Sequence, residues 1–151
     1  MVKKVIFYLI ENQIENNDSS LLLHEKLACQ KVVENWQNGL RMLILCEDQA
    51  QAERVDECLW QLDTNSFVPH NLVGEGLNGG SPVEIVWGEK RGNGNRQLLI
   101  NLQNHFADFA SVYNDIIDFV PADNKLKELA RERYKSYKSV GFQIKTIPTS
   151  V

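Results

Sequence analysis

The 151-residue chain has little of what marks several functional classes, and each shortage removes one. No apolar run approaches the ~20 residues that span a bilayer, so no membrane association is expected. The opening MVKKVIFYLIENQ pairs two lysines with an apolar run, but the run is short and no small-residue cleavage site follows, so it reads as a buried strand rather than a leader. Only 4 prolines and no low-complexity stretch argue against a disordered or linker-rich chain. The 3 cysteines (Cys29, Cys46, Cys58) form an odd set without a CxxC, which fits a reducing, cytoplasmic compartment and no structural zinc. Basic charge is not in excess either: the net charge of −4 disfavours a protein whose whole surface tracks nucleic acid.

What is present is the material of one globular domain, expected to span 1–151. At 43% hydrophobic residues and this length, a chain buries about two-thirds of its unfolded surface. Lys4 to Ile10 lacks polar interruption and suits a strand covered on both faces. Leu22, Cys29, Val32, Val33 and Trp36 then recur at helical spacing, and Asn38-Gly39 supplies a left-handed terminator. RMLILC is a second buried strand, and Asp48 with Gln51 has capping-box spacing for a second helix. Short strands are expected around Phe67-Val68, Val83 to Trp87 and Leu98 to Leu102. A short helix is expected near His105 to Tyr113, a stronger one from Asp123 to Lys138, and FQIKTI as an edge strand. The β-α-β-α order predicts an α/β, Rossmann-like single domain, its mostly parallel central sheet flanked by helices.

Catalytic signatures are weak. GEGLNGG, residues 74–80, lacks the Lys-Ser/Thr and following helix of a P-loop and misplaces the last glycine of GxGxxG. Cys46 ends a strand, where a nucleophile with His70 or His105 as base would sit, but Glu47 and Asp48 beside it would raise a thiol pKa. No cofactor and no metal is therefore expected.

Two surfaces stand out instead. On the second helix Ala52, Val55, Leu59 and Leu62 form the core stripe, and Trp60 points about 140° away from it. Phe67 and Pro69 follow closely, and aromatics outside a core are the usual material of interface anchors. On the last helix Leu126, Leu129, Ala130, Tyr137 and Val140 form the expected buried stripe. Lys127, Arg131, Tyr134 and Lys138 share the adjacent one, with Lys135 beside it. Six cations (Lys125, Lys127, Arg131, Arg133, Lys135, Lys138) crowd this segment. A charge run on a helix is usually only a solvated face, and Glu128 and Glu132 favour that reading; cations around an exposed tyrosine also suit an acidic ligand with an aromatic tip.

LCEDQAQAERVDECLW, SFVPHNLVGEGLNGGSPVEIVW, FADFASVYNDIIDFVP and KLKELARERYKSYKSVGF together resemble the chi subunit of bacterial DNA polymerase III holoenzyme, over essentially the whole chain except residues 11–20. The resemblance implies a fold akin to the nucleotide-binding core of helicases, without their phosphate-binding and hydrolytic residues. It also implies a non-catalytic clamp-loader adaptor at the replication fork. One partner would be the psi subunit, met by Trp60, Phe67 and Pro69, a surface for which a helicase competes in some relatives. The other would be the acidic C-terminal tail of single-stranded DNA-binding protein, met by Val120, Lys127, Arg131, Tyr134 and Lys135, with DNA contacted only indirectly. The alternative is a nucleic-acid-binding module using the same basic helix.

Overall fold

The structure, a computed structural model, describes residues 2–10, 22–61, 67–74, 81–88 and 96–149. The described residues form seven strands, β1 (Lys4–Ile10), β2 (Met42–Cys46), β3 (His70–Leu72), β4 (Val83–Trp87), β5 (Leu98–Asn101), β6 (Asp115–Val120) and β7 (Gln143–Thr149). Three helices accompany them: α1 (Leu23–Gln37), α2 (Gln49–Trp60) and α3 (Asn124–Ser139). The strands make one sheet in the order β3-β4-β2-β5-β6-β1-β7, and every pairing is parallel. The expected α/β fold is thus present, with a described sheet wholly parallel.

Parallel strands in mid-sheet are covered on both faces, and β2 is buried at all five positions. Its alternation divides the core. Ile44 points toward Val32, Val55 and Leu59 of α1 and α2. Leu43 and Leu45 point toward Phe7, Leu99 and Tyr137 on the α3 side. The edge strand β7 is mostly exposed or half-buried.

The helix ends follow the sequence closely. Gly39 takes φ +80° after α1, as expected of Asn38-Gly39. The Asp48 carboxylate accepts the Gln51 N–H at 2.8 Å. The Gln51 side chain, however, accepts from Glu47 N–H at 2.7 Å, one residue earlier than a capping box requires. After α3 the Phe142 N–H donates to the Tyr137 carbonyl at 3.0 Å while Gly141 sits at φ +98°. The Phe142 and Tyr137 rings meet at 5.6 Å, completing a Schellman termination with its apolar contact.

Three expectations are corrected. The strand near Phe67-Val68 starts instead at His70; Pro69 has no N–H to donate and meets β4 only through its carbonyl, which accepts the Val83 N–H at 3.3 Å. The helix near His105 to Tyr113 is only a 3-10 turn at Ala110–Val112, because so short a segment gains more by burying Ala107 and Ala110 than by repeating turns. Val140 caps α3 and is 44% exposed, Leu126 and Leu129 are only half-buried, and Arg133 joins Ala130 and Tyr137 as the buried residues of the helix. Leu62 and residues 75–80 of the glycine-rich stretch lie outside the described residues.

Helices α1 and α2 are joined by a buried carboxylate. Glu25 accepts from Arg54 Nε at 3.0 Å, Arg54 Nη2 at 2.8 Å and Gln51 Nε2 at 2.9 Å. Burial alone would raise its pKa, but the Arg54, Gln51 and Leu22 hydrogen bonds outweigh that and hold it below the ordinary glutamate value. A lowered native pKa means the unfolded chain binds the proton more readily, so this stabilisation is complete above the unfolded value of ~4.3 and fades as pH falls through the native one. Glu25→Gln should therefore lose stability at pH 7 and show a shallower decline on acidification than the parent. Urea midpoints measured from pH 7 to pH 3 check this, and parallel curves would show that Glu25 does not carry the dependence.

Candidate functional site: two surface patches at opposite sheet edges

The candidate catalytic groups do not converge. Cys46 is fully buried at the end of β2, and burial pushes its thiol far above the range of a nucleophile. His105 is exposed and His70 is buried under α2. Among the described residues no three His, Cys, Asp or Glu side chains are grouped to hold a metal ion. The thiol that departs downward is Cys58, drawn to about 7 chiefly by its hydrogen bond with Cys29, whose own pKa is raised.

The first patch lies beside β3. Trp60, at the end of α2, is 56% exposed, and Phe67 is 40% exposed. Their rings meet at 5.5 Å, and Pro69 is half-buried nearby in sequence. The off-stripe placement of Trp60 holds: Ala52, Val55 and Leu59 go inward while Trp60 faces out. His70, named from the sequence only as a candidate base for Cys46, belongs to this patch instead: its ring lies 4.9 Å from Trp60 and 6.2 Å from Phe67. Its Nδ1 lies 2.7 Å from the Val68 carbonyl and its Nε2 3.3 Å from Asp56. A buried histidine under two exposed rings gives them a floor, and no local spacing in the sequence signals that contact.

The second patch lies beside β7. A notch of about 480 Å³ opens between α3 and strands β1 and β7. Its apolar floor is Phe7, Leu9, Val120 and Ala130, and its rim is Lys127, Arg131, Tyr134, Lys135 and Thr146. All five residues proposed from the sequence for tail binding therefore line one cavity. Tyr134 is 40% exposed, and its ring stands 6.0 Å from that of Phe7. Lys138 does not line the notch. An apolar recess ringed by cations can take an aromatic side chain while its charged terminus pairs with a guanidinium.

Arg133, counted in the sequence among the basic residues, is buried and serves the interior. It donates to both Asp118 oxygens, from Nε at 3.0 Å and Nη2 at 3.1 Å, and to the Phe119 carbonyl at 2.9 Å. Tyr137 Oη donates to Asp118 at 2.8 Å, as does Asn101 Nδ2 at 3.1 Å. Burial, with Asp118 alongside, pushes the Tyr137 pKa well up. This network fixes α3 against β6 and so sets which face of the helix reaches the notch.

The two patches sit at opposite ends of the strand order, with β3 at one edge and β7 at the other. Six inter-strand steps of about 4.8 Å put these edges roughly 29 Å apart.

The family model described as "DNA polymerase III chi subunit, HolC" matches residues 2–145. The DNA polymerase III subunit chi of Escherichia coli (strain K12) is 48% identical over 145 residues, covering 96% of this chain and 97% of that protein. Its namesake in Haemophilus influenzae is 44% identical, with 97% of each chain covered. That of Pseudomonas aeruginosa is 29% identical over 93% of each. Among solved structures, T4 UvsW superposes with a TM-score of 0.60 at 10% identity, over 97% of this chain and 42% of that one, a likeness of fold alone.

Proposed function

Because the chain belongs to the DNA polymerase III chi subunit family, we propose that it is a non-catalytic adaptor of the clamp-loader assembly. In this reading a psi subunit docks on Trp60, Phe67 and Pro69, and the acidic C-terminal tail of single-stranded DNA-binding protein enters the notch lined by Val120, Lys127, Arg131, Tyr134 and Lys135. The observation that carries it is the separation of the two patches to opposite edges of one rigid sheet. Two partners held roughly 29 Å apart need not collide, so one domain can bridge them.

The tail's terminal aromatic ring would fill the apolar floor, and Arg131, with its planar fork, would take the carboxylate. Lys127 and Lys135 add screened attraction that speeds encounter. A DNA-binding helix would need no apolar recess, and the recess is what favours a peptide over nucleic acid here.

Calorimetric titration with a synthetic acidic peptide ending in Pro-Phe tests the reading. Arg131→Ala should weaken binding by about 2 kcal/mol, whereas Lys138→Ala, outside the notch, should cost only ~0.5 kcal/mol. Salt should remove part of the affinity and leave a remainder that depends on the terminal Phe. Equal losses for the two variants, or unchanged binding of a peptide lacking that Phe, would reduce α3 to a general anion-attracting face.

A further inference from the structure

The outer edge of β7 borders the notch and offers backbone groups that the cation and aromatic contacts leave unused. Strand β7 pairs with β1 on one side and, among the described residues, ends the sheet on the other. The Gln143 N–H donates to the Lys3 carbonyl at 2.8 Å, which sets the phase of the strand. Gln143, Lys145 and Ile147 turn their amides toward β1, so the N–H and C=O of Ile144 and Thr146 point outward. Pro148 points the same way but has no N–H, so it ends any further ladder.

Side chains have the complementary alternation. Thr146 lies opposite Phe7 in the register and its side chain lines the notch. A residue paired across from Thr146 on the outer edge would put its own side chain on that same face, next to Thr146 at the mouth of the notch, from where a long aromatic side chain can lean inward toward Phe7. The notch and the free edge are therefore two parts of one surface, continuous at Thr146.

We infer that β7 receives the extended backbone of the acidic tail as an added strand, paired through the outward N–H and C=O of Thr146 and Ile144. The segment so held is the stretch running into the terminal aromatic ring, whose side chain drops into the notch from the position opposite Thr146. Its carboxylates face the cation rim of Lys127, Arg131 and Lys135. This charge complementarity selects an acidic segment over a second copy of the chain, which is itself net negative. Main-chain pairing then supplies affinity that depends little on the tail's sequence, while the notch and the cations supply specificity. The inference rests on the tail-binding reading and adds the backbone to it.

Thr146→Pro removes one outward N–H without touching a bond to β1, and the strand already accommodates proline two residues on. Thr146→Val keeps the backbone and the β-branched shape. With the full-length protein and the acidic Pro-Phe peptide, Thr146→Pro should weaken binding roughly five- to tenfold and Thr146→Val less than about twofold, as expected for loss of one or two main-chain hydrogen bonds. A peptide N-methylated at the amide of its terminal Phe should lose a similar factor against the unaltered protein, a measurement independent of whether Thr146→Pro folds. Wild-type affinity for both Thr146→Pro and the N-methylated peptide would overturn the added strand and leave the notch standing. Equal losses in Thr146→Pro and Thr146→Val would overturn it too, by assigning the effect to the side chain. Concentration-dependent dimerisation of the free protein, lost in Thr146→Pro, would give the edge to a second copy instead. Failure of the unmodified peptide to bind the unaltered protein would sink the tail reading itself, a result distinct from all of these.

Discussion

Arg133→Ala should destabilise the fold by about 3–5 kcal/mol, because it strands Asp118 as a buried, unpaired carboxylate. Asp118 is wholly buried on β6 and receives two hydrogen bonds from Arg133, besides those from Tyr137 and Asn101. Alanine removes the charge partner, and the donors that remain, Tyr137, Asn101 and the Phe119 N–H, are neutral. Replacing both members together, with Asp118→Asn and Arg133→Met, should cost less than the single change, since no unpaired charge is then left inside. Urea denaturation of the single and double variants would measure both. A single-variant loss below about 1 kcal/mol would mean that water reaches Asp118 and that the network is less closed than its geometry implies. The consequence extends to binding. Arg131 and Tyr134 flank Arg133 on α3, so loosening this anchor should also weaken capture of the acidic peptide, although Arg133 does not line the notch.

Trp60→Ala should lower affinity for the psi partner by 2 kcal/mol or more, about thirtyfold, while leaving the stability of the chain nearly unchanged. A central aromatic anchor carries energy of this order. The indole is 56% exposed, so little buried contact is lost with it in the free chain. Leu59→Ala, one residue away and fully buried, should show the reverse: a stability loss of roughly 2–5 kcal/mol from the cavity. Capture of the acidic peptide should be unaffected by Trp60→Ala, because the notch lies at the other edge of the sheet. Calorimetry with each partner separately, together with urea midpoints, separates these outcomes. A folded Trp60→Ala protein that retains full psi affinity would move the interface elsewhere.

Local pattern was enough for much of this molecule. The unbroken apolar runs of β1 and β2 read as strands, the Asn38-Gly39 pair as a helix terminator, and the failed P-loop spacing spoke against the usual phosphate cradle. These are properties of neighbouring residues, set by sterics and by the period of side-chain direction. The outward turn of Trp60 was partly legible, since helical phase sets it off the stripe of Ala52, Val55 and Leu59; that no described residue folds over it took the structure.

Other features needed the sheet. Arg133 reads as one more cation on a basic helix until β6 brings Asp118 beneath it, since a charge is buried only where a distant partner compensates it. His70 reads as a candidate base for Cys46 until α2 lays Trp60 across it. Phe7 and Leu9, forming the floor of the notch, stand more than a hundred residues from Lys127 and Arg131 on its rim. Sequence determined which residues were apolar, which were charged and which way each helix or strand would turn them. Only the tertiary structure decided which of those faces met, because the parallel order β6-β1-β7 is set by long-range pairing that no local period encodes.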